Sequence, residues 1–119
     1  MDAIERPLLL IDFTKFMYET VGQLAKLGYN ATRFHQMLND ENDGSIVAQR
    51  LVLADASEGL WRLKQLNRLD LSVEMAVLLP KYEELFDEMI RERAKFKLEE
   101  MDFNVDGYLR SLAESETKK

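Results

Sequence analysis

Apolar residues recur at steps of three and four along most of this chain, the period of a helix with one buried face. The longest such run lies between Ser72 and Met101, where Tyr82, Leu85, Phe86, Met89, Ile90, Ala94, Leu98 and Met101 share a stripe. Glu84, Glu88, Arg91, Glu92, Lys95 and Glu99 fall on the opposite side. This predicts a long helix capped by Ser72, with a kink where Pro80 removes a backbone donor and crowds the preceding turn. A second long helix is predicted over Leu8–Leu27, with Leu10, Phe13, Phe16, Met17, Val21, Leu24 and Leu27 inward, Pro7 in its first turn and Gly28 as its left-handed stop.

The remaining segments are shorter. Asn30 is placed to cap a helix over Ala31–Leu38, and Asn39–Gly44 reads as a loop. Ser45 is placed to cap a third long helix beginning at Ile46 and carrying Val47, Leu51, Ala54, Leu60, Trp61, Leu63 and Leu66. Gly59 lies inside it and costs about 1 kcal/mol relative to alanine. Asp55–Gly59 therefore marks either a bend in one helix, the preferred reading, or a break with Ser57 as a fresh cap. Tyr108, Leu109 and Leu112 suggest a last short helix or a docked turn. The expected fold is all-α: an antiparallel helical bundle of three long and one or two short helices, one domain over residues 1–119, with 1–6 and 114–119 frayed.

Composition agrees with that picture. The 119 residues include only two prolines and five glycines, and the frequent residues are good helix formers. The absence of cysteine excludes a disulfide framework, thiolate catalysis and Cys-ligated metal centres. No stretch approaches the ~20 apolar residues of a membrane span. The run Leu8–Ile11, stopped by Asp12, is too short for a secretory signal, so the expected location is cytoplasmic. A net charge of −6, spread without a block, argues against nucleic acid as a partner.

One local pattern carries candidate chemistry. Asp102, Asn104 and Asp106, followed by Gly107 and Leu109, resemble the first half of an EF-hand calcium loop, with oxygen ligands at positions one, three and five and glycine at six. The resemblance implies calcium binding through those three residues. The closing position is Ala113, where such loops carry a bidentate glutamate, and Glu114 comes one residue late. The preferred reading of the same residues is a helix end followed by a turn that caps the last helix. Asn39, Glu41, Asp43 and Gly44 repeat the spacing, but Arg50 stands where a carboxylate is required.

His35, the single histidine, has no second histidine with which to hold zinc. Glu84 and Glu88 could do acid–base work only if they converged with it in a pocket. Asp87 with Arg91, and Glu92 with Lys95, fit helical ion pairs. Arg91, Arg93, Lys95 and Lys97 surround Phe96, yet alternate residues on a helix diverge by about 200°, so they form no single patch. No catalytic site and no cofactor is expected.

The function expected from these residues is a non-enzymatic helical module for protein–protein interaction: an adaptor, an assembly factor or an inhibitor that acts by occupying a surface. Its expected contacts are Trp61, Phe96, Leu98, Met101 and Phe103, covered by a protein partner or by a second copy in a homodimer. The alternative is a calcium-responsive module using the incomplete loop at 102–113.

Overall fold

A computed structural model of the chain describes residues 5–55 and 58–117, and every regular element among them is helical. In order these are α1 (Glu5–Lys26), α2 (Thr32–Glu41), α3 (Gly44–Leu53), α4 (Glu58–Gln65), a 3₁₀ turn (Leu69–Leu71), α5 (Val73–Leu78), a 3₁₀ segment (Pro80–Leu85), α6 (Glu88–Glu100) and α7 (Val105–Thr117). The all-helical expectation holds. The number and lengths of the helices differ from it.

The first helix starts at Glu5, inside the segment expected to fray, leaves Leu27 exposed, and stops before Gly28, whose φ of 87° is the left-handed geometry that glycine adopts without strain. The long helix expected over Ser72–Met101 is three pieces. Ser72 caps α5 through a bond accepted from the Met75 N–H at 3.0 Å. The proline then forces its predecessor out of the helical region: Leu79 sits at φ −65°, ψ 132°, so the chain breaks rather than bends. Pro80 opens the 3₁₀ segment, Phe86 is extended, and Asp87 restarts the helix by accepting the Ile90 N–H at 2.9 Å. Asp87 is thus a helix cap; Arg91 instead lies 3.4 Å from Glu83 and donates to the Phe86 carbonyl.

The segment expected to form one helix from Ile46 is divided between α3 and α4. Ser57, the alternative cap, lies outside the described residues. Asp43 rather than Ser45 caps α3, accepting from both the Ser45 N–H (2.9 Å) and its hydroxyl (2.6 Å). At the start of α2, Ala31 stands in the cap position without a side-chain bond, and Asn30 offers only its carbonyl. The connection from α2 to α3 is tighter than the expected loop. Asn42 takes the left-handed conformation and Gly44 passes so near α1 that a Cβ there would meet the Thr14 Cα at 2.9 Å.

Two apolar clusters hold these pieces. In one, Phe13 and Met17 of α1 pack against Val47, Ala48 and Val52 of α3, Val77 of α5, and Ile90 and Ala94 of α6. Phe13 meets Tyr82 and Phe86 edge-on, with ring centroids 4.8 and 5.1 Å away. The other joins Leu24, Leu60, Leu63, Leu69, Met75, Leu98, Met101 and Val105. Phe34, Leu78 and Leu79 touch both clusters, so the halves form one continuous interior. No helix of the described residues is long and apolar enough to cross a membrane.

Candidate interaction surface

The polar centre of the molecule lies between α3, α5 and α6. Lys97 reaches inward from α6 and places its ammonium 2.9 Å from Glu74 of α5, and each side chain is only 8% exposed. The same nitrogen donates to the carbonyls of Leu51 (3.1 Å), Val52 (3.3 Å) and Ala54 (3.2 Å). The last carbonyls of a helix have no partners within it, and a cation at that end is favoured by the helix dipole. Lys97 therefore caps the end of α3 while neutralising a buried carboxylate. The sequence held a signal for this: Lys97 lies on the Ile90–Ala94–Met101 side of its helix, where a lysine needs a partner. Its place within an apparent surface cluster of cations hid it.

Because Lys97 and the neighbouring bridge from Arg93 to Asp55 (3.0 Å) draw the end of α3 against α6, the surface beside them has a definite shape. Met89 and Phe96 are seven residues apart and so lie on one side of α6, flanking Arg93. Leu53 ends α3 next to the carbonyls that Lys97 holds. All three are open to solvent: Met89 is 61% exposed, Phe96 57% and Leu53 50%. Lys95 on the same helix is paired with Asp106 at 3.2 Å, and Arg93 with Asp55. Arg93 and Lys95 thus have local counter-charges, and Leu53, Met89 and Phe96 stay exposed.

The residues expected to meet a partner fall into two sets. Phe96 and Trp61 are exposed, and Lys64 lies 5.1 Å above the Trp61 ring. Leu98 and Met101 are buried, covered by α4, α5 and α7 of the chain itself. Phe103 is half-buried against Tyr108, with ring centroids 5.7 Å apart. The sequence reading placed Leu98 and Met101 on a free seam because it did not anticipate that α7, a helix of 13 residues, folds back over it.

The loop from Asp102 divides its oxygens among separate tasks. Asp102 adopts φ 62° and closes α6, with the Phe103 N–H returning to the Leu98 carbonyl at 3.1 Å. Asn104 accepts the Gly107 N–H at 2.9 Å and so caps α7. Asp106 faces Lys95, and Asp102 lies 3.7 Å from Lys64. Among the described residues, no group of three or more His, Cys, Asp or Glu side chains is placed to hold a metal ion. His35 is exposed and stands edge-on to Tyr18, with centroids 5.8 Å apart; Glu84 and Glu88 are exposed as well.

Two surface hollows accompany α1. A shallow apolar one of about 610 Å³ is lined by Pro7, Leu10, Ile11, Thr14 and the Asn42–Asp43 corner. A smaller one of about 130 Å³ holds Asp12, Lys15, Glu19, Lys81 and Tyr82. There Asp12 accepts from the Tyr82 hydroxyl at 2.6 Å and pairs with Lys81 at 3.0 Å, which together hold its carboxyl below the usual range. Burial, and then the bond to Asp12, push the Tyr82 phenol above its own. No family model, curated protein or solved structure matches the chain.

Proposed function

We propose that this protein is a non-enzymatic helical interaction module that binds a protein partner through the flank where α3 meets α6. The observation that carries the reading is the exposure of Leu53, Met89 and Phe96 beside the junction that Lys97 holds together. Large apolar groups on a fixed backbone lose little conformational freedom on docking. Methionine adapts its shape to the surface it meets, and a phenylalanine buries a large area. With Arg93 and Lys95 already neutralised, the fitting partner is the apolar face of a helix rather than a charged segment.

The test compares captures from the native host by the wild-type chain and by Met89→Asp/Phe96→Asp. Both positions are exposed, so the variant should keep the wild-type far-ultraviolet circular dichroism. A specific partner should be retained by the wild type and lost, by at least tenfold, from the variant. Equal recovery by both chains rejects this flank as the docking site.

A further inference from the structure

The outer side of α1 carries a second pattern, independent of the α6 flank. Phe13, Met17, Thr20 and Leu24 are buried in the protein. On the opposite side, Leu8, Ile11, Lys15, Tyr18, Gly22 and Ala25 follow one another at alternating steps of three and four, the spacing of a two-helix seam. All but the half-buried Tyr18 are exposed, with Leu8 at 63% and Ile11 at 66%. The order along this seam is uneven: two bulky aliphatic residues at its start, two of the smallest at its end. A Cβ added at Gly22 would meet nothing within 4 Å, so the glycine is not required by packing inside the chain.

We infer that α1 pairs antiparallel with α1 of a second copy about a twofold axis between Lys15 and Tyr18. That arrangement is self-complementary, as an isologous contact must be. Leu8 then lies opposite Ala25 of the second copy and Ile11 opposite Gly22, so each large side chain enters a space left by a small one. A parallel pair would set Leu8 against Leu8 and leave a void between the two glycines. The charges agree with the antiparallel choice. Lys15 comes beside the Tyr18 ring and Glu19 of the second copy, and Glu5 lies across from its Lys26. Asp12 turns toward Glu19 of the other copy, but Lys81 already balances it at 3.0 Å. A single pair of helices makes a small contact, so the dimer forms in the micromolar range or above rather than at nanomolar concentration.

The chain has no cysteine, so single thiols can be introduced to report the geometry. In the antiparallel pair the two copies of position 8 are separated by about 25 Å, 17 residues at the helical rise of ~1.5 Å. Mild oxidation of a mixture of Leu8→Cys and Ala25→Cys chains should therefore yield a cross-linked heterodimer, while either variant alone stays uncrosslinked. Light scattering of the wild type should show a mass that doubles with concentration, and Ile11→Glu should return it to the monomer with unchanged circular dichroism. Cross-linking of the Leu8→Cys chain alone indicates a parallel pair and overturns the inference. So does a monomeric mass for the wild type at millimolar concentration, or an Ile11→Glu chain that dimerises as well as the wild type.

Discussion

Lys95 and Lys97 stand two residues apart on α6, each beside a carboxylate, and they do different physical work. Lys95 meets Asp106 at 3.2 Å with the two side chains 40% and 67% exposed. Water solvates both groups whether or not they touch, and the pair contributes little. Lys97 meets Glu74 inside the protein and also satisfies three carbonyls at the end of α3. Removing it strands a buried carboxylate and leaves carbonyls that are buried or partly buried without their donor. The difference teaches that the strength of an ion pair here is set by what surrounds it, since distance and charge are nearly the same in both.

The largest expected effect follows directly. Lys97→Ala should destabilise the fold by about 3–5 kcal/mol, measured by urea unfolding. Glu74→Leu/Lys97→Met removes both charges, and for a simple buried pair such an exchange is often neutral. Here the α3 carbonyls would still lose their donor, so the double variant should recover only part of the loss. Full recovery would show that the carbonyl bonds contribute nothing and that Lys97 resembles an ordinary buried pair.

Next in size is the cap that restarts the chain after Pro80. Asp87→Ala should cost about 1 kcal/mol through the lost bond to the Ile90 N–H. If Asp87 served only as an exposed charge, like Lys95, its removal would barely shift the unfolding midpoint.

The Asp12–Tyr82 pair lies between the two extremes and is read by pH. The Asp12 pKa is lowered in the folded protein, so its contribution is present above the ordinary value of 3.8 and is lost as pH falls through the folded value. The Tyr82 pKa is raised, so the corresponding contribution is present below the ordinary value of 10.0 and is lost as pH rises beyond it. Tyr82→Phe should flatten the alkaline decline in thermal stability, and Asp12→Asn the acid one. Unchanged profiles would place both groups with the solvent-screened pairs. The smallest effect belongs to Lys95→Ala, a few tenths of a kcal/mol, diminishing in high salt.

Much of the architecture was legible in the residues because it rests on local rules. The α1 pattern, the left-handed Gly28, the Ser72 cap and the disturbance at Pro80 each follow from short stretches of chain. Periodicity also ran on from Tyr82 through Phe86, and it concealed the restart at Asp87: a side chain that can cap a helix can equally decorate one. The exposed apolar surface was legible only in part. The sequence singles out Phe96 and Trp61, which are exposed, but it sets Met89 on the inward stripe, gives no sign of Leu53, and offers Leu98 and Met101 as contacts although the fold buries them.

By itself, then, the sequence determined that the chain is helical and which side of each long stretch is apolar, since both depend on neighbours within one or two turns. Tertiary structure alone decided which apolar side chains are covered. The return of α7 over Leu98 and Met101, the approach of α3 to α6, and the inward turn of Lys97 join residues separated by many turns of chain. A helical period names a face but does not name what lies against it: it sets Lys97 on the apolar side of α6 and Lys95 on the polar side, and only the fold supplies the Glu74 carboxylate and the α3 carbonyls that Lys97 meets.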